Sequence, residues 1–135
     1  METNFSDNST GFPLIGVISI PASNMFDTQY YKAQSNFSYI PVSYVKYISQ
    51  TGAMAVLIPF DLPIKTLDKL LDSVDGIQLI GGDADFGTDE KPSFFQLRVH
   101  HIMKKAMEKN DSGIYYPILG TCLGMQCLTI AMCGN

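Results

Sequence analysis

With 135 residues, 46% of them apolar, the chain has the length of one domain and the material for a buried core. A charged fraction of 16% and a net charge of −4 leave no basic footprint for a phosphate backbone, so nucleic acid is not an expected partner. No apolar run reaches the roughly 18 residues of a membrane helix, and "METNFSDNSTGF" has neither the basic patch nor the apolar stretch of a secretory leader, so neither a membrane segment nor a signal is expected.

Residues 1–11 are polar and read as a disordered lead, with a single domain over 12–135. "LIGVISI", Leu14 to Ile20, is a β-branched run ended by Pro21 and predicts a strand covered on both faces. Pro41 and Gly52 bracket a helix over about 41–51 carrying Val45 and Ile48. "AMAVLIPF", Ala53 to Phe60, repeats the buried-strand signature, and Asp61 with Pro63 announces a capped helix whose stripe is Leu67, Leu70, Leu71 and Val74. "GIQLI", Gly76 to Ile80, is a third strand running into Gly81-Gly82. Ser93 and Gln96 have capping-box spacing ahead of a long helix with the face Phe95, Val99, Ile102, Met103 and Ala106, and Lys104, Lys105 and Lys109 suit its negative end. Gly113 closes that helix, "YYPILG", Tyr115 to Gly120, is a fourth strand, and an apolar helical tail follows. This alternation predicts an α/β fold: a doubly wound, flavodoxin-like, mostly parallel sheet with helices on both faces, cut short at its C-terminal side.

Cys122, Cys127 and Cys133 match no zinc spacing and no disulfide framework, so free thiols are expected. Gly120-Thr121-Cys122-Leu123-Gly124 has the form G-x-C-x-G between a strand and a helix, the thiol analogue of a nucleophile elbow. A residue at the tip of that turn takes a strained backbone, and Cβ atoms two positions before and after it would collide with the turn. Cys122 is thereby expected above the carboxyl end of the sheet, at a helix N-terminus that favours the thiolate. A small buried hydrophobe is the competing reading for a free cysteine. Gly81-Gly82 tips the balance toward a nucleophile: an N–H from Gly82 with that of Leu123 makes a two-donor oxyanion hole, although a diglycine after a strand also serves simply as a turn.

These residues resemble the class I glutamine amidotransferase superfamily and, more closely, its γ-glutamyl hydrolase branch. Three blocks carry the likeness: "SYIPVSYVKYISQTGAMAVLIPF" (Ser38 to Phe60), "DSVDGIQLIGGDADF" (Asp72 to Phe86) and "YYPILGTCLGMQCLTI" (Tyr115 to Ile130). The resemblance implies a hydrolase of γ-linked glutamate in folate polyglutamates, a small-molecule substrate, no cofactor and no metal. It implies Cys122 as nucleophile through a thioester, Gly82 and Leu123 as oxyanion donors, and Tyr39 and Gly81 in the substrate cleft; Tyr39 also reads as an ordinary packed aromatic. It further implies a lysosomal, vacuolar or extracellular site and allows a homodimer in the complete protein. Ile80 stands where the family usually has proline, and Met125-Gln126 is closer to the glutamine-using amidotransferases, which keeps ammonia release from glutamine, or a non-catalytic remnant, as alternatives.

The family's catalytic histidine and its carboxylate partner lie well downstream of the cysteine, beyond Asn135, so the chain by itself is expected to hydrolyse folate polyglutamate far more slowly than a full-length relative. His100 and His101 match no motif and read as helix-surface residues. Asp83, Asp85, Asp89 and Glu90 read as a solvated acidic loop against a hard-cation site. Sequons at Asn4, Asn8, Asn36 and Asn110 suit glycosylation or arise by chance.

Overall fold

Four strands of the computed structural model form one parallel sheet in the order β4-β1-β5-β6: β1 (Leu14–Ile18), β4 (Met54–Ile58), β5 (Gly76–Leu79) and β6 (Ile118–Gly120). The structure describes residues 11–22 and 37–133, so the polar lead and the sequons at Asn4, Asn8 and Asn36 lie outside the described residues. Between the strands run α1 (Val42–Gln50), α2 (Ile64–Asp72) and α3 (Phe94–Asp111), with α4 (Leu123–Cys133) after β6. From β1 the chain steps one way to β4 and then back past β1 to β5 and β6. Right-handed crossovers put α1 on one face and α2 and α3 on the other, which is the doubly wound α/β arrangement. The reversal sits between β1 and β5, the place where such sheets bind ligands beyond their carboxyl ends.

The buried core follows the expected stripes. Leu67, Leu71 and Val74 and the full set Phe95, Val99, Ile102, Met103 and Ala106 are buried. Phe60 meets the Phe95 ring edge-on at 5.4 Å. β5 is buried along its whole length, as a strand flanked by β1 and β6 and covered on its faces must be.

Several expectations are corrected. The Leu14–Ile20 run is two strands: at Ser19 the chain leaves the sheet, the Ser19 hydroxyl accepts the Phe60 N–H at 3.1 Å, and β2 (Ile20–Pro21) pairs antiparallel with β3 (Ser38–Tyr39). β4 is an edge strand rather than a buried one, with Met54 and Leu57 about half exposed. Asp61 does not cap α2; Pro63 holds the cap position, and among the described residues no side chain supplies a bond there. Ser93 caps α3 by accepting the Gln96 N–H at 3.0 Å, but the reciprocal half of the capping box is missing, because the buried Gln96 amide has no hydrogen-bond partner among the described residues. The lysines at the end of α3 serve α2 as well: Lys109 donates to the Leu71 carbonyl at 3.0 Å, and Lys105 and Lys109 both reach Asp72.

The Asn110 sequon lies on α3, and its amide is occupied. Nδ2 donates to the carbonyls of Ala106 and Tyr116, and Oδ1 accepts the Tyr116 N–H, so a glycan on Nδ2 would have to break this join.

Candidate active site

β6 ends at Gly120 and α4 begins at Leu123, which leaves two residues to reverse the chain. Cys122 takes the turn at φ 52°, and among the described residues no other non-glycine has positive φ. Such a conformation costs of order 1–3 kcal/mol and persists only where the surroundings enforce it. The enforcement is steric. A Cβ on Gly120 would stand 2.6 Å from the Gly124 carbonyl carbon, and one on Gly124 would stand 2.8 Å from the Leu79 Cβ and closer still to the Leu79 backbone. With only hydrogens there, α4 starts directly on top of β5 and β6. The turn is pinned by Thr121 N–H to the Leu79 carbonyl at 3.0 Å, Gly124 N–H to the Thr121 carbonyl at 2.9 Å, and the buried Gln78 amide, which donates to the Thr121 hydroxyl at 3.2 Å.

Cys122 is exposed, Cys127 is buried one and a half turns along α4, and Cys133 is exposed; none is in a disulfide. Burial pushes the Cys127 thiol up to about 12. Leu123, next to the nucleophile candidate, is buried and anchors the helix start, while its N–H makes no hydrogen bond among the described residues.

The diglycine lies beside this turn. A Cβ built on Gly81 would meet the Cys122 Cβ at 3.2 Å and the Tyr44 hydroxyl at 2.7 Å. The Gly81 N–H donates to that hydroxyl at 2.8 Å. Gly82 has φ 151°, a region glycine alone enters readily, and a Cβ there would press on Ile20 and on the Tyr39 hydroxyl, 2.8 Å away. The Tyr39 phenol is raised above its ordinary value, mainly by burial; a backbone hydrogen bond from Asp83 pulls against that, and the Asp83 carboxylate and Tyr44 add to it. Tyr44 from α1 therefore holds the N–H just before Gly82, and Tyr39 from β3 stands against Gly82 itself. The Gly82 N–H itself makes no hydrogen bond among the described residues.

Cys122, Gly81, Gly82, Leu123 and Tyr39 thus gather at the carboxyl end of β5 and β6, beside the sheet's reversal point. Tyr44 belongs with them and was not singled out by the sequence. Its signal is its place four residues before Ile48, on the inward face of α1. The histidines stand apart from this group: His100 is exposed, and His101 Nε2 sits 2.7 Å from an Asp68 oxygen, bridging α3 to α2. Asp83, Asp85, Asp89 and Glu90 are exposed, and among the described residues no group of three or more His, Cys, Asp or Glu side chains is placed to hold a metal ion.

The family model described as Peptidase C26 matches residues 13–135. Among curated relatives, "Probable gamma-glutamyl hydrolase 3" of Arabidopsis thaliana is 31% identical over 128 residues, covering 91% of this chain and 35% of the relative. "Gamma-glutamyl hydrolase" of Mus musculus is 41% identical over 98 residues, covering 72% and 29%. "Gamma-glutamyl hydrolase" of Homo sapiens is 30% identical over 125 residues, covering 91% and 36%. The chain spans about a third of the length of the curated relatives it matches.

Proposed function

The chain belongs to the Peptidase C26 family, and from that premise we propose that it carries the nucleophile-bearing part of a cysteine hydrolase that cleaves γ-glutamyl bonds, with folate polyglutamates as the substrate class. In this reading Cys122 Sγ attacks the γ-amide carbonyl carbon. The oxyanion that forms is held by the N–H groups of Gly82 and Leu123, each such donor being worth about 2.7–4 kcal/mol. The C–N bond then breaks, the distal glutamate leaves as the amine with the proton given up by the thiol, and the folate-bearing γ-glutamyl group remains on Sγ as a thioester. Water adds to the thioester carbonyl, the C–S bond breaks, and the folate-bearing γ-glutamyl acid departs with the thiol restored. Tyr39 and Gly81 wall the cleft around the acyl group. A lysosomal, vacuolar or extracellular site and a homodimer in the complete protein go with the same reading.

The observation that carries the proposal is the exposed Cys122 at φ 52°, with the diglycine backbone against its Cβ. A thiol kept for packing alone has no need of a strained turn, and Cys127, five residues on, shows what a packed thiol looks like here.

The test is glutamate release from a γ-linked diglutamate, with the Cys122→Ala chain as control. Release that depends on Cys122 supports the proposal. Release that persists in the Ala variant overturns it. Met125-Gln126, both exposed on the first turn of α4, support a second reading in which free glutamine is the substrate and ammonia the product. Preference for glutamine over the γ-linked diglutamate selects that reading, and a thiol that accepts no acyl group from either leaves a binding remnant.

A further inference from the structure

Three consecutive N–H groups leave β5. The first, Gly81, donates to the Tyr44 hydroxyl at 2.8 Å; the second, Gly82, has no partner among the described residues; the third belongs to Asp83. A diglycine turns about its backbone at little cost, so nothing in the Gly81–Gly82 peptide itself fixes where the Gly82 N–H points. Holding the Gly81 N–H on the Tyr44 hydroxyl limits how far that peptide can rotate.

Tyr44 reaches the site from α1 through a side chain whose helix is seated by the buried Ile48 one turn on. Its hydroxyl and the Cys122 Cβ both stand within 3.2 Å of the point a Gly81 Cβ would occupy, so anchor, loop and nucleophile form one contact. As acceptor for Gly81, the hydroxyl spends a lone pair and keeps its own proton.

We propose that Tyr44 is a positioning residue of the active site: its hydroxyl holds Gly81 so that the Gly82 N–H aims at the oxyanion formed on Cys122. This rests on the hydrolase reading above. Tyr44 acts through Gly82, so its loss weakens the stabilisation of charge on the carbonyl oxygen and leaves the thiol itself untouched.

Two electrophiles separate those effects on the full 135-residue chain. A γ-glutamyl 4-nitrophenyl ester acylates Cys122 through a tetrahedral oxyanion and needs no acid for its leaving group. Iodoacetamide alkylates the same sulfur by displacement at a saturated carbon, with no oxyanion. Removing an oxyanion donor outright costs about 10²–10³ in rate, and misaiming one should cost part of that. Tyr44→Phe is expected to slow acylation by about tenfold or more, leave alkylation of Cys122 unchanged, and speed hydrogen exchange at the Gly81 amide. Gly81→Ala, which keeps the Tyr44 ring but puts a methyl where the hydroxyl reaches, should also slow acylation, and the double variant should acylate no more slowly than the slower single one. Acylation by Tyr44→Phe at the wild-type rate overturns the inference, as does a parallel fall in both reactions. A wild-type chain that alkylates at Cys122 but never acylates removes the hydrolase reading and this inference with it.

Discussion

Gly120 and Gly124 meet across the turn that carries Cys122, so closely that a Cβ on Gly120 would lie 2.6 Å from the Gly124 carbonyl carbon and 2.7 Å from the Met125 nitrogen. Both obstacles are backbone, which cannot swing aside as a side-chain tip can. Gly120→Ala and Gly124→Ala should each destabilise the fold by about 1–3 kcal/mol, the usual cost of overfilling a packed site. Urea denaturation measures it; a midpoint equal to wild type for either variant would contradict the steric account of the elbow.

The thiols should separate in reactivity. Burial pushes Cys127 up to about 12 from an ordinary 9.0, so at pH 8 its thiolate is scarcer by about a thousandfold than that of an ordinary thiol, and it is covered as well. In a Cys133→Ser background, which removes the other exposed thiol, a substoichiometric iodoacetamide dose should label Cys122 and leave Cys127 unmodified, read by peptide mapping. Label on Cys127 at a comparable rate would mean that α4 is not seated as described.

Much of this was legible in the sequence because the physics was local. The α3 face from Phe95 to Ala106 repeats at helical spacing, and all five of its residues are buried. The G-x-C-x-G turn was readable because a thiol at positive φ needs small neighbours two residues away. What escaped depended on partners distant in sequence. Nothing near Ser19 announces that its hydroxyl will take the Phe60 N–H, 41 residues later, and end the first strand. Met54 and Leu57 look like buried-strand residues, and only the strand order makes β4 an edge. Tyr44 is one tyrosine among seven until Gly81 arrives at its hydroxyl.

Tyr116 should give stability an alkaline limit. It is buried, donates its hydroxyl to the Leu71 carbonyl at 2.8 Å, and has Lys109 Nζ 4.3 Å from its ring centre. Burial holds its phenol well above the ordinary value of 10.0, with the Asp72 and Asp75 charges adding to the rise. The folded chain therefore keeps this proton where the unfolded chain loses it. The stabilisation is complete below pH 10 and falls as pH climbs from there toward the raised folded value. Tyr116→Phe should cost about 0.5–1.5 kcal/mol at pH 7, since Leu71 keeps its bond from Lys109, and the gap from wild type should shrink above pH 10. A gap that stays constant to pH 11, or widens, would contradict the assignment.

Gly82→Ala combines a disfavoured φ of 151° with a methyl pressed against Ile20 and the Tyr39 hydroxyl. The loop must shift, and with it the Gly82 N–H that the proposal aims at the oxyanion. Acylation by the γ-glutamyl 4-nitrophenyl ester should fall by about 10², with alkylation of Cys122 retained. Unchanged acylation would remove Gly82 from the oxyanion site.

The most direct measurement is the mass of the intermediate. The 135-residue chain, mixed with the γ-glutamyl aryl ester and quenched in acid, should carry one γ-glutamyl group, and peptide mapping should find it as a thioester on Cys122 and nowhere in the Cys122→Ala chain. An acyl group on Cys133, or an unmodified Cys122 beside released nitrophenol in both chains, would contradict the account.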